Sequence, residues 1–485
     1  MAGEVHGKSA SEKGVMAFQV ETKRQGSPLQ MREALLPLVG SAGYRRVLAT
    51  LCSWDVLHAV GVPAQTIRQL RASVAVHGVE ALPRTERQLE SDSKSPIYVV
   101  QLCLPDSRKC SLICKWYIGP RQRQAAIEQR MNAYFRQRLA PLCRIGEILT
   151  VMTLPAVPPL SIAVLPYLGD TTLYDRLHQL PRHTPAVVSL LQHASHTLAT
   201  IQVLGRLGHQ EGHLCLTSLL PAEAPAYFLH QLESVLLHTF AASGHPIPQG
   251  ATLLHHFGPF AQILATDSCR AGLYYRGSNP RNIMLVGPEQ VEIDFEQDTI
   301  RTRYIDIVTL LENGLEMPRW EPAVDYPPFQ GQMPFAAWHQ QRCRAWQALA
   351  QYNYLNHAQI ESLLAQFLTT TLRLEQQYLT TSLDTGSTGE QRLTLQSARL
   401  FRHLQYVGYC KRNELQALTI GKRRSSRHRQ HFHALWAKCI LDDLLFPCSS
   451  QARCLPPMMR QPAMALRHAL EALSSTIQAP ALETA

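Results

Sequence analysis

The chain has 485 residues, 45% of them apolar and 17% charged, a balance that buries a sizeable core and excludes a chain disordered throughout. Forty-seven Lys and Arg against thirty-seven Asp and Glu give +10, which attracts anions such as nucleotides, nucleic acid or acidic lipid without choosing among them. No stretch reaches ~18 uninterrupted apolar residues: the longest candidate, 151–166, is broken by Pro155, Pro158, Pro159 and Pro166, so a membrane span is excluded. Met1 to Gly14 are polar and lack the apolar block of a signal peptide, which makes the expected location cytoplasmic. Twelve cysteines without a Cys-x-x-Cys pair read as reduced, mostly buried thiols rather than as a disulfide framework or a zinc site.

Residues 1–30 read as a flexible tail, and 31–90 as a small helical leader with apolar residues at helical spacing (Leu35, Leu36, Leu38, Val39, then Val56, Leu57, Val60). From Pro96 the pattern turns to β: Ile97 to Leu104, a turn at Pro105-Asp106-Ser107, then Cys110 to Tyr117 with one lysine, Lys115, late in the second strand. A helix over about Gln122 to Leu139 and two apolar strand-like runs complete a compact lobe over 91–170. Residues 171–475 are mainly helical, with a new helix starting at Thr172, and 476–485 form a second tail. A second hairpin interrupts the helices, Asn282 to Val286 and Val291 to Phe295 around Gly287-Pro288. The fold class expected is therefore α+β, with a small β-rich lobe and a large helical one.

The chemistry concentrates around that second hairpin. The segment Tyr275-Arg276-Gly277-Ser278-Asn279-Pro280-Arg281-Asn282 precedes it, Ile293-Asp294-Phe295-Glu296 ends it, and Tyr304-Ile305-Asp306-Ile307 follows. Asn282 and Asp294, at the two ends of a short hairpin, can converge on one cation through hard oxygen ligands, a plausible magnesium site. Each residue also has a plainer reading. Asn282 and Asp294 are ordinary turn residues, Asp306 suits the N-cap of a helix beginning at Ile307, and Lys115 suits a strand edge.

These motifs resemble the aminoglycoside phosphotransferase and choline kinase-like group within the protein-kinase-like fold, whose pattern is His-x-Asp, four residues, Asn, a hairpin, Ile-Asp-Phe-Glu and a later Asp. The resemblance implies a two-lobed fold that binds ATP and Mg2+ between a small β-rich N-lobe and a helical C-lobe. It puts Asn282 and Asp294 on the metal, Asp306 under the catalytic loop, Lys115 on the α- and β-phosphates with Glu128 as its partner, and Leu165 and Tyr167 in the hinge against adenine. The family activity is phosphorylation of a small-molecule hydroxyl. This chain departs from the pattern at the base: Gly277 stands where the catalytic aspartate is expected, Tyr275 replaces the histidine, and Ser278 cannot act as a base at neutral pH. The segment 89–95, where a phosphate-covering loop is expected, has no glycine. A catalytically inactive pseudokinase, serving as a binding or scaffold module, is therefore the alternative.

The basic run Lys422 to Arg429 reads as a solvated loop between helices. Nucleic acid is not expected as a partner, because no aromatic residues interleave with the run. The expected partners are a nucleotide and an unidentified small-molecule substrate.

Overall fold

The computed structural model describes residues 30–70, 76–81, 96–104, 109–140, 143–237, 247, 249–312, 334–417, 419–446 and 455–478. Residues 1–29 and 479–485 of the expected tails, the glycine-free segment 89–95, the turn at 105–107, Cys448 and Cys454 lie outside the described residues, whereas residue 30 and residues 476–478, expected in the tails, are helical.

The N-lobe is an antiparallel five-stranded sheet of order β1-β2-β3-β6-β5, formed by β1 (Val76–Ala81), β2 (Ile97–Cys103), β3 (Lys109–Ile118), β5 (Thr150–Leu154) and β6 (Leu160–Pro166). Period-two alternation sends Leu112, Cys114 and Trp116 of β3 to one face, while Lys115 and Tyr117 point to the other. The leader covers the first face. Its helices α1 (Gln30–Leu51), α2 (Trp54–Ala59) and α3 (Ala64–Leu70) set Leu35, Val47, Leu51, Val56, Leu57 and Ile67 against the apolar side of the sheet. At about 1.5–3 kcal/mol for each buried aliphatic side chain, this cover contributes on the order of 10 kcal/mol. The segment 31–90 is thus not helical throughout, because Val76–Ala81 adds the edge strand β1, whose pairing register shifts between Val76 and Gly78.

Helix α4 (Gln122–Leu139) packs across the other face of the sheet, where Tyr117, Ala125, Ile148 and Ala163 form a small cluster. Asn132 of α4 donates to the Gly146 carbonyl and accepts from Ile148 N at 3.1 Å, fixing the helix to the chain that follows it. There β4 (Arg144–Ile145) runs parallel to β10 (Glu289–Glu292), which pairs antiparallel with β9 (Ile283–Val286). This three-stranded sheet joins the two lobes.

The C-lobe is helical and has one large apolar core. Its helices are α5 (Leu173–Gln179), α6 (Pro185–Gln210), α7 (Ala224–Leu236), α8 (Gly250–Ala271), α9 (Tyr304–Leu311), α10 (Phe335–Ala350), α11 (His357–Tyr378), α12 (Thr388–Gln416), α13 (Ile420–Leu445) and α14 (Pro457–Gln478). Thr172 starts α5 as expected: its hydroxyl accepts from Asp175 N at 3.2 Å, while Asp175 Oδ2 accepts from Thr172 N at 2.9 Å. A third small sheet, β7 (Thr217–Ser218), β11 (Thr299–Arg301) and β8 (Leu273–Tyr275), lies under the loop 276–282. The architecture is a two-lobed α+β fold, and no helix of the described residues is long and apolar enough to cross a membrane.

Two smaller expectations change. The run Lys422–Arg429 is not a loop but the opening turns of α13, capped by the Thr419 hydroxyl, with Arg427 bonded to Glu414 at 2.8 Å. The cysteines are not mostly buried: among those described, Cys114, Cys410 and Cys439 are buried, whereas Cys215 and Cys343 are exposed.

Candidate functional site

The cleft between the lobes is organised by one lysine. Lys115 lies opposite Ala163 across the β3–β6 ladder, on the face of the sheet turned toward α4. Its ammonium meets Glu128 Oε2 of α4 at 3.0 Å, Asp294 Oδ1 at 2.5 Å and Glu296 Oε1 at 2.6 Å. The first partner belongs to the N-lobe, and the other two follow the C-lobe hairpin. Burial acts to lower the Lys115 pKa, but Asp294, Glu128 and Glu296 together hold it well above the ordinary lysine value. Glu128 is pushed up because it is almost wholly buried, against the opposing pull of Lys115. Its Oε2 also accepts from the Tyr117 hydroxyl. The two shifts are consistent, since a single cation shared by three carboxylates stays charged while the most buried carboxylate holds its proton more tightly.

Asp294 adopts a left-handed φ of 70°, a conformation that Asp tolerates better than most residues. From there its Oδ2 accepts from Asn282 Nδ2 at 3.1 Å, so the two ends of the hairpin converge as the sequence suggested. Glu296 also receives Arg121 Nη2 at 3.1 Å. Glu128, Asp294 and Glu296 each place a carboxylate oxygen within 4.8 Å of the others. Three carboxylates against two cations leave the cluster short of positive charge, and its donors are hard oxygens, so the residues fit a divalent cation such as magnesium.

Below the cluster lies the loop 276–278. Asp306 is fully buried, and its carboxylate accepts from Arg276 N and Ser278 N at 2.8 Å each and from Gln202 Nε2 of α6 at 3.2 Å. Burial pushes its pKa up, against these hydrogen bonds. Asp306 is therefore not the N-cap of a helix beginning at Ile307: α9 opens at Tyr304, and the side chain leaves its first turn to hold the loop instead. The Arg276 side chain, also buried, pairs with Glu292 Oε2 at 2.8 Å, donates to the Ile293 carbonyl at 2.5 Å and lies 4.9 Å from the centre of the Phe295 ring. Loop and hairpin are thus locked into one piece.

Gly277 sits in that loop at φ +72°, and a Cβ there would lie 3.4 Å from Gln297 Cγ. The position carries no side chain and holds a backbone that most L-residues disfavour, and the Gln297 side chain borders the space. Ser278 is buried, 1% exposed, which keeps its hydroxyl from solvent. Leu165 is opposite Ile113 near the end of β6, two residues beyond Ala163, and Tyr167 N bonds the Ser111 carbonyl at 3.4 Å. Tyr167 also donates its hydroxyl to Asp170.

The structure therefore brings Lys115, Glu128, Asn282 and Asp294 together and sets Asp306 behind Gly277 and Ser278. Sequence reasoning missed Glu296, Arg121, Tyr117 and Gln297. Glu296 was legible as the last residue of Ile-Asp-Phe-Glu; the other three are brought in by tertiary packing. A cavity of about 1190 Å³ lies away from this cluster, lined by Val62, Arg144, Tyr167, His193 and Pro288 among others.

No family model matches the chain, and no curated protein matches it. Among solved structures, the chain is similar to a GDP and kanamycin complex of the aminoglycoside phosphotransferase APH(2")-IIia, at 11% identity and TM-score 0.41, over 78% of this chain and 99% of that one. It is similar to glucosamine kinase in complex with glucosamine, ADP and inorganic phosphate, at 12% identity and TM-score 0.39, over 78% of this chain and 81% of that one. A third is a thermostable mutant of APH(4)-Ia with ADP and hygromycin B, at 10% identity and TM-score 0.36, over 78% and 99%.

Proposed function

We propose that this chain binds Mg-ATP in the cleft between its lobes and transfers a phosphoryl group to the hydroxyl of a small molecule. The observation that carries this reading is the junction at Lys115: a buried lysine of the small lobe, oriented by Glu128, meets Asp294 and Glu296 of the large lobe, with Asn282 bonded to Asp294. In this reading Lys115 holds the α- and β-phosphates, Asn282 and Asp294 hold magnesium, Leu165 and Tyr167 flank adenine, and Asp306 keeps the loop 276–278 in shape. Bound magnesium supplies charge neutralisation at the phosphates. With Gly277 in the base position, catalysis relies on positioning and electrostatics, which dominate a loose phosphoryl-transfer transition state.

The left-handed backbone of Gly277 and the Gln297 side chain beside it favour a second reading, a pseudokinase that retains the nucleotide without turnover. A thermal-shift titration with ATP and magnesium tests what the two readings share. Ligand at a hundred times its Kd stabilises the folded state by about 2.7 kcal/mol. Wild type should show a magnesium-dependent rise in Tm that is lost in Asp294→Ala and in Lys115→Ala, each measured against its own ligand-free melt. No rise at saturating ATP would overturn both readings, and ADP formation in an acceptor screen separates the enzyme from the pseudokinase.

A further inference from the structure

Beside the loop 276–278, on the side of α7 and α12, lies a second cluster of opposite character. Arg301 of β11 and Tyr275 of β8 are diagonal neighbours on one face of their strand pair, since Thr299 is opposite Tyr275 and Arg301 opposite Leu273. The Arg301 guanidinium carbon is 3.9 Å from the centre of the Tyr275 ring and 4.7 Å from that of Tyr227 on α7. Arg301 is only 8% exposed, and its buried Nε has no hydrogen-bond partner. From α12, Arg402 donates to Gln405 Oε1 at 2.5 Å and to the Tyr406 hydroxyl at 3.3 Å, and its buried Nε is likewise unpartnered. Burial works to lower the Arg402 pKa, and it is Tyr406, Tyr275 and Tyr409, not carboxylates, that raise it.

The contrast with most other buried arginines is direct, although Arg429 too is buried with an unpartnered Nε. Arg276 faces Glu292, Arg303 faces Glu375, Arg399 faces Glu312 and Arg467 faces Asp442, as the cost of burying an unpaired charge requires. Neither Arg301 nor Arg402 has a carboxylate partner among the described residues. Asp306, whose charge reaches Tyr275, is occupied by the loop amides and Gln202. Two guanidinium groups without a carboxylate, Arg301 stacked on the rings of Tyr275 and Tyr227 and Arg402 bonded to the Tyr406 hydroxyl, are donors matched to an oxyanion.

We propose that Arg301 and Arg402, with Tyr227, Tyr275 and Tyr409 around them, bind a phosphate or carboxylate group of the acceptor, so that the molecule phosphorylated in this cleft is an anion. This rests on the phosphotransfer reading for the word acceptor, but the anion site itself does not depend on nucleotide. A cationic acceptor such as an amino sugar is disfavoured by the same two arginines.

Isothermal titration with inorganic phosphate and, separately, malonate tests the site, with and without saturating Mg-ADP to fill the nucleotide cleft. The expected result is binding to wild type that weakens at least about tenfold, the effect of losing one charge-assisted hydrogen bond, in Arg301→Gln and in Arg402→Gln. Arg138→Gln, which removes an exposed arginine paired with Glu211 on the surface, should bind both anions as wild type does. Stronger binding of phosphate identifies a phosphoryl group and stronger binding of malonate a carboxylate; either order supports the site. Should Arg301→Gln fail to fold, by its circular-dichroism melt, Arg402→Gln and Tyr409→Phe decide. Equal binding by the Arg301 and Arg402 variants and wild type, loss of binding in Arg138→Gln alone, or competition by glucosamine would overturn the proposal. Anion binding that persists while Mg-ATP gives no thermal shift would instead remove the phosphotransfer reading and leave the anion site standing.

Discussion

Replacing Lys115 by Met keeps the stem of the side chain and removes its charge. Three carboxylates then face one another across the lobes, with oxygens within 4.8 Å. Removing one partner of a buried ion pair costs about 3–5 kcal/mol, because it strands a charge in the interior. Most of this falls on Glu128, whose side chain is 3% exposed; Asp294, at 34%, is screened by solvent and contributes little. The full loss, about 3–5 kcal/mol, a fall in Tm on the order of 10 °C for a folding unit of this size, is therefore expected at pH 9. The loss should shrink at pH 7, since the stranded carboxylates take up protons, Glu128 first because burial already raises its pKa to about 7. Magnesium or calcium should restore part of it by taking the place of the ammonium. Wild type shows the complementary behaviour: the folded-state pKa of Lys115 is raised, so its contribution is complete below the ordinary lysine value and is lost only as pH climbs through the raised one. Urea unfolding followed by tryptophan fluorescence at pH 7 and pH 9, with chelator and with added divalent cation, measures each of these. A loss under about 1 kcal/mol at pH 9, the range of an exposed pair, or the same loss at both pH values, would refute the reasoning.

Asp306→Asn presents an amide N–H where the loop offers donors, and should cost about 1–3 kcal/mol for each donor left without an acceptor; a urea midpoint unchanged from wild type would show that the loop does not depend on Asp306. Gly277→Ala should destabilise by about 1–2 kcal/mol from the left-handed backbone alone, with Gly277→Asn milder; because the added methyl meets Gln297 only at ordinary contact distance, a neutral Gly277→Ala in thermal melts would show that the loop relaxes out of φ +72°. His431, buried mainly at the cost of its charged form, has its pKa lowered to about 4. Protonation therefore favours the unfolded chain, and the stability it withholds, about 3 kcal/mol in full, drains away as pH falls from 6.5 toward 4. His431→Gln should flatten that acid limb in melts taken across pH 4–7, and identical limbs would contradict the assignment.

Much of the site was legible because its residues stand in local patterns. Asn282 and Asp294 flank a hairpin marked by Gly287-Pro288, and Lys115 sits in an alternating strand opposite another, so position in sequence translates directly into position in space. The bounds of α4 followed from its apolar spacing. Arg301 and Tyr275 could not be paired from sequence, because their meeting depends on how β8 and β11 register across the intervening hairpin. Strand β1 escaped notice because the register shift beside Gly78 breaks its alternation. The opening of α13 was misread because its basic residues look like a loop, although arginine and lysine are good helix formers and Thr419 caps the turn. Asp306 was ambiguous for a related reason: an aspartate near the start of a helix suits both a cap and a brace, and only the direction of its side chain chooses.

The leader that covers the small lobe has a consequence for the order in which the chain is made. Residues of α1 to α3 emerge from the ribosome well before β6, the strand that completes the apolar face they cover. Until then Leu35, Val47, Leu51 and Ile67 have no sheet to rest on, and helices that are short, or broken as α1 is at Gly40, hold little structure alone. The nascent small lobe must therefore mature from its two ends at once, with the first helices waiting in water for a surface that the chain has yet to supply. That interval is when chaperones have most to shield.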